Sequence, residues 1–193
     1  MKRRIALDIA YISMFCALIC VCAWISVPYT VPFTLQTLGV FLTVGVLGGR
    51  RGTIAVSCYL LLGVAGAPVF AGFRGGVSVL LGVTGGYIAG FLFSALVMWA
   101  MEVIFGKDTV AVALSMTLGL LVCYAFGTLW FTAVYANGSG GISIGGALAL
   151  CVLPYIVPDA LKIVIAMILR NRLLKYVRPY AANGKRLKGT KKL

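Results

Sequence analysis

The sequence contains no histidine and only four acidic residues, Asp8, Glu102, Asp108 and Asp159, among 193. Without histidine there is no Ser-His-Asp triad and no imidazole metal ligand, and four scattered carboxylates leave little for paired acid-base chemistry. Charge of any sign is scarce: 11% of residues are charged and 62% are apolar, where soluble domains carry about 25% charged residues. Mean hydropathy is +1.06. Such a chain lacks the polar surface of a soluble globule, and it is too apolar to be disordered. No hydrophilic block is long enough for a separate soluble domain. The strict alternation that marks a membrane barrel is missing too. The six cysteines, Cys16, Cys20, Cys22, Cys58, Cys123 and Cys151, lie in apolar stretches without a CxxC pair. They read as small packing residues rather than metal ligands or a disulfide framework. What remains is an all-α integral membrane protein.

A span takes about 20 apolar residues, or about 17 at the short end. Six apolar runs meet or approach that length: 5–27, 33–47, 53–67, 84–105, 110–136 and 147–169, the last continuing to about 177. The second and third are short for straight spans and predict a helical hairpin shielded by its neighbours, with Gly48 to Gly52 as the separator. The Gly-rich stretches 71–86 and 136–146 predict loops or loop-to-helix junctions. This gives a six-helix membrane domain over 1–177 and a basic tail over 178–193. The net charge is +13, and nine of the 17 basic residues lie between Arg170 and Lys192. Directly after an apolar helix, such a tail points to anionic lipid rather than nucleic acid. Lys2, Arg3 and Arg4 look like a signal-peptide start, but no cleavage site leading into a soluble protein follows, so the first run is read as a retained helix. Six spans place both termini on one side. Lys2, Arg3, Arg4, Arg50, Arg51, Lys107 and the tail fall there, while the connections near 28–33, 68–83 and 137–146 carry one charge, Arg74. The positive-inside rule then makes both termini cytoplasmic.

Two charges stand near the middle of the last apolar run, Asp159 and Lys162. A charge at a helix centre costs about 2.5–3.5 kcal/mol on insertion scales and usually marks a pathway or a site. Their three-residue spacing puts both on one helix face, which Tyr155 and Ala166 extend. A purely structural ion pair is the alternative, but Pro154 and Pro158 weaken the helix here and favour a ligand cavity. Arg74 sits in a glycine-flanked segment suited to a lid, or it is simply a solvated loop residue. Thr34 and Gln36 begin a helix, where free N–H groups and the positive dipole end can meet a polar ligand; ordinary capping by Thr34 is the other reading. Gly82, Gly86 and Gly90 form a close-packing stripe. No Gly-Lys-Ser/Thr follows the Gly-Val-Thr-Gly-Gly segment, so it is not a nucleotide loop. Tyr124, Thr128, Phe131 and Tyr135 share a face beside Trp130, as interface anchors or as the wall of an apolar pocket.

Taken together, the blocks Val31-Pro-Phe-Thr-Leu-Gln36, Leu47-Gly-Gly-Arg-Arg-Gly52, Tyr59-Leu-Leu-Leu-Gly63, Pro68-Val-Phe-Ala-Gly-Phe73 and Thr84-Gly-Gly-Tyr87 resemble the BioY family. These are biotin-specific substrate-binding S components of energy-coupling-factor (ECF) transporters. The resemblance runs over about residues 7–175, with Val83 standing where a proline is expected. It implies a six-helix S component in the cell membrane that binds biotin near the outer face, under loops. It implies assembly with a membrane-embedded T component and two cytoplasmic ATPases, no catalytic activity and no cofactor of its own. Small residues four apart on helix one contact the T component in this family; Ser13 and Ala17, preceded by Ala10 and Ala6, match that stripe.

Biotin has a ureido ring, a thioether, an aliphatic chain and a carboxylate. Its cavity needs an acceptor, donors, apolar or aromatic walls and a cation. Asp159 can accept a ureido N–H, Lys162 can donate to the carbonyl or neutralise Asp159, and Gln36 or Thr34 can add polar contacts. Phe33, Tyr87 and Trp130 can form walls, with Tyr155 on the Asp159 face, and Arg74 can pair with the carboxylate. Two other functions stay open: a membrane enzyme using Asp159 and Lys162 as acid and base, and a facilitator that moves a vitamin without partners.

Overall fold

The computed structural model describes residues 2–28, 31–139 and 142–189, with side chains over 5–28, 31–135 and 142–177. The helices among these residues are α1 (Lys2–Trp24), α2 (Gln36–Leu47), α3 (Gly49–Val64), α4 (Val77–Leu81), α5 (Gly85–Phe105), α6 (Thr109–Ser139), α7 (Ile144–Cys151) and α8 (Ile156–Gly189). Two short antiparallel strands, β1 (Ser26–Val27) and β2 (Phe33–Thr34), bring the end of α1 back toward the start of α2, with Ser26 opposite Thr34. Single 3-10 turns occupy Ala71–Phe73 and Leu153–Tyr155. Among the described residues, four stretches are long and apolar enough to cross a membrane: Ile5–Trp24, Gly85–Phe105, Thr109–Tyr135 and Ile144–Val177. The protein is an all-helical, multi-pass membrane protein.

The short helix α2 lies at the centre, in contact with α1, α3, α5, α6 and α8. Twelve residues rise only about 18 Å at 1.5 Å each, against a hydrocarbon core of about 30 Å. It needs no lipid-facing length because other helices surround it. Its shortness leaves open volume above its N-terminus, and the cavity described below occupies that volume. The expected separator between the second and third helices shrinks to one residue. Gly48, at φ +83°, makes the turn alone, so Arg50 and Arg51 belong to the first turn of α3.

The last apolar run departs further from expectation. It is not one helix over 147–169 but two, broken at Val152 (φ −123°, ψ −55°) and the turn after it. Pro154 explains the break, since it lacks an N–H and its ring clashes with the carbonyl four residues back. Asp159 consequently stands in the first turn of α8, not at mid-helix, where the helix dipole favours a carboxylate. From there α8 runs to Gly189 without interruption at 177–178. Residues 190–193 of the basic tail, and its side chains from 178 on, lie outside the described residues, as do residues 140–141 of the second Gly-rich stretch.

At the end of the bundle away from the cavity, charges fasten helices together. Arg51 of α3 pairs with Asp8 of α1 at 2.9 Å. Glu102 accepts the Gly49 N–H at 2.6 Å and pairs with Lys107 at 3.0 Å. The buried Arg170 of α8 donates to the carbonyls of Gly45 and Lys107, both at 3.0 Å. In the middle, α5 and α6 pack closely. Gly86 faces Trp130, where a β-carbon would lie 2.2 Å from the Trp130 Cβ, and Gly90 faces Cys123. The glycine stripe is therefore a packing stripe at these two positions. Gly82 precedes α5 and instead offers its carbonyl to Trp130 Nε1 at 3.0 Å.

Candidate ligand-binding site

Above α2, a cavity of about 670 Å³, counting its open mouth, is lined from the first loop, the 70–84 segment and helices α2, α5, α6, α7 and α8. Its deep polar end is the Asp159–Lys162 pair, with Nζ to Oδ1 at 2.7 Å and residue exposures of 3% and 5%. Thr37 bridges the pair, donating to Asp159 Oδ1 and accepting from Lys162 Nζ, each at 3.2 Å. Tyr124 donates to the other carboxylate oxygen at 2.5 Å. The ammonium also lies 4.2 Å from the centroid of the Phe33 ring, a cation–π contact. A charge pair is tolerated this deep because each partner has both its counter-ion and further hydrogen bonds.

Next to the pair, Gln36 and Thr34 form a second polar element. Thr34 Oγ1 accepts the Gln36 N–H at 3.2 Å and lies 3.1 Å from the Gln36 Oε1 to which it donates. Gln36 Nε2 donates to Tyr59 Oη at 2.5 Å. Thr34 thus satisfies a free N–H at the start of α2 while both side chains face the cavity. Tyr155 also lines it, its hydroxyl donating to the Val31 carbonyl and so tying the 153–155 turn to the first loop.

The walls are aromatic and aliphatic. The Tyr87 ring lies on Gly127, where a β-carbon would be 2.2 Å from ring carbon Cδ1, and its hydroxyl is 3.0 Å from Thr128 Oγ1. The Phe70 ring occupies the space a side chain at Gly63 would fill and meets Tyr59 edge-on at 5.6 Å. At the outer end stands Arg74, exposed, its Nε donating to the Ala71 carbonyl at 3.1 Å. Among the described residues it has no carboxylate partner.

Of the residues singled out in the sequence, Asp159, Lys162, Arg74, Gln36, Thr34, Tyr87 and Tyr155 line this one cavity. Phe33 and Trp130 do not. Phe33 stands behind Lys162 and stacks on Tyr155, and Trp130 is held at the back of α5 by Gly86 and the Gly82 carbonyl. Thr37 and Tyr124 had not been singled out for the polar end. Tyr124 belonged to a recognised aromatic face, whereas Thr37 carries no signal beyond lying next to Gln36. Cys123 and Cys151 add thiols to the wall. Ala6, Ala10, Ser13 and Ala17 are all exposed on the outward face of α1, so the stripe does not pack within the chain.

A bundle of apolar helices enclosing a cavity, charged at its deep end, apolar along its walls and cationic at its mouth, defines a membrane protein that binds a small amphipathic ligand. A match to the BioY family covers residues 1–179. The chain belongs to that family. It is 42% identical over 165 residues to the biotin transporter BioY of Thermotoga maritima, covering 84% of this chain and 93% of that one. It is 38% identical over 169 residues to a probable biotin transporter BioY of Pyrococcus horikoshii, covering 87% and 96%. Its fold is similar, with a TM-score of 0.79 and 24% identity, to the crystal structure of the S-component for biotin from an ECF-type ABC transporter, covering 91% of this chain and 94% of that one.

Proposed function

We propose that this chain binds biotin, one molecule per cavity, as the substrate-specific S component of an ECF-type transporter in the cell membrane. One observation carries the reading. The cavity is polar at both ends and apolar between, the order in which biotin presents its ureido ring, its thioether and aliphatic chain, and its carboxylate. At the deep end, the Asp159 carboxylate accepts a ureido N–H, and Lys162 donates to the ureido carbonyl. Thr37 and Tyr124 hold that pair in place. The rings of Tyr87, Phe91 and Phe70 face the apolar middle. At the mouth the Arg74 guanidinium meets the carboxylate, a charge-assisted contact.

In this reading the chain crosses the membrane six times, through α1, α2, α3, α5, α6 and the broken α7–α8 unit, with both termini cytoplasmic. The Arg50, Arg51, Lys107 and Arg170 end then faces the cytoplasm, in line with the positive-inside rule. ATP is hydrolysed by two cytoplasmic ATPases that reach this chain through a T component. The outward-facing Ala10, Ser13 and Ala17 stripe suits that contact, because small residues let helices approach closely in lipid. Calorimetric titration of the detergent-purified chain with biotin, without ATP or partners, tests the binding reading; absence of saturable heat overturns it.

A further inference from the structure

The cavity adjoins a second space at Arg74. This second, shallow recess, about 710 Å³ when the open solvent above it is counted, is lined by Pro32, Arg74, Ser78, Val79, Gly82, Val83 and Thr84. Four of these, Pro32, Arg74, Val79 and Thr84, also line the inner cavity. The two spaces therefore adjoin at these four residues, which form the neck between them, with the Asp159–Lys162 pair on the inner side and the recess on the outer. The outer lining adds Ser78, Gly82 and Val83 and brings no carboxylate. Arg74 Nε is held by the Ala71 carbonyl, which fixes the guanidinium at the neck with its terminal N–H groups available. Those groups donate to a carboxylate and, with less strength, to the carbonyl oxygen of an amide.

A ligand held by its head at the deep end brings its acid end to the neck, where the partly open cavity borders the recess. We infer that the site also admits biotin whose carboxyl group is joined through an amide, with biotin linked to the ε-amine of free lysine as the ligand class. Such a conjugate keeps the ureido ring at Asp159 and Lys162 and presents its amide carbonyl to Arg74. It lays the lysine methylenes along Val79 and Val83 and leaves the amino-acid head group in outer water. Proteolysis of a protein carrying biotin on lysine is the class of reaction that supplies it. The inference rests on the biotin reading above and extends its substrate range.

The test is displacement of labelled biotin from the purified full chain by biotinyl-lysine, alongside a series of biotin amides from the methylamide upward. Biotinyl-lysine is expected to compete within about tenfold of biotin, and the amides to differ from one another by less than about threefold as the tail lengthens. Ser78→Trp, which fills the recess, is expected to leave biotin within about twofold and to weaken biotinyl-lysine by about tenfold or more. Normal biotin binding with no competition by the conjugate at hundredfold excess, about 2.7 kcal/mol of discrimination, overturns the inference and leaves the biotin reading standing. Equal loss of both ligands in Ser78→Trp, or steadily falling affinity along the amide series, also overturns it. Absence of biotin binding by the native chain removes both.

Discussion

Asp159 and Lys162 can be separated into structural and ligand-binding roles by a pair of substitutions made singly and together. In Lys162→Met the buried carboxylate keeps two hydroxyl donors, Thr37 and Tyr124. In Asp159→Asn the ammonium keeps Thr37 Oγ1 and the face of Phe33. Breaking a buried pair by removing one partner costs about 3–5 kcal/mol; the retained donors and acceptor place both single variants near about 3 kcal/mol. In the double variant no charge is left unpaired. Replacing a buried ion pair by hydrophobic residues of similar volume is often neutral or stabilising; here Met fills the lysine's volume and Thr37 and Tyr124 stay beside the Asn amide as hydrogen-bond partners, so stability is expected to return close to native. Binding follows a different rule. If biotin takes a charge-assisted hydrogen bond from each residue, each loss costs about 1.5–3 kcal/mol, which is about 10- to 150-fold in affinity. The double variant does not recover it. Melting followed by intrinsic fluorescence gives the first quantity and calorimetric titration the second. A double variant that melts and binds biotin like the native chain would refute the reasoning and make the pair a structural lock.

Arg74→Ala is expected to weaken biotin about tenfold or more, as for a lost charge-assisted contact, and to weaken biotin methylamide less; equal losses in competition binding would remove Arg74 from the carboxylate role. Gly127→Ala places a methyl group 2.2 Å from the Tyr87 ring, so overpacking of about 1–3 kcal/mol should lower the melting temperature and push the ring into the cavity, reducing biotin affinity; an unchanged melt and affinity would show that α5 and α6 yield there. Ser13→Trp and Ala17→Trp lie on the exposed face of α1, so biotin binding by the isolated chain should be nearly intact while co-purification with the T component and ATP-driven uptake are lost. Loss of ligand binding in these variants would send the search for the coupling surface to the Arg50–Arg51 turn.

Apolar run length is a good guide to helices in lipid, and α1, α5 and α6 follow it to within a few residues. It fails where the chain must break inside an apolar run. Nothing in hydropathy separates α7 from α8, and only Pro154 signals the break that moves Asp159 into a first helical turn. It also misjudges a junction whose turn is one glycine, which is why Arg50 and Arg51 were expected outside α3. The charged residues that line the cavity were legible because charge is so rare in this chain that Asp159, Lys162 and Arg74 stand out singly. Hydroxyls are common on apolar helices, so Thr37 could not be distinguished from Thr43 or Thr53. Aromatic walls are the least legible part. Trp130 and Tyr87 were equal candidates: each packs on a glycine of the opposing helix, Trp130 on Gly86 and Tyr87 on Gly127, and of the two contacts only the second turns its ring to the cavity. That depends on the register between α5 and α6, which the order of residues does not disclose.

The most direct test is titration of the purified native chain with biotin and, in parallel, with lipoate, in the absence of ATP and of any other subunit. Lipoate has a sulfur ring, an aliphatic chain and a carboxylate but no ureido group, so it satisfies the walls and Arg74 and leaves the Asp159–Lys162 end unmatched. The account predicts saturable one-to-one heat and a raised melting temperature with biotin, and neither with lipoate at the same concentrations. No response to biotin, or an equal response to both, would contradict it.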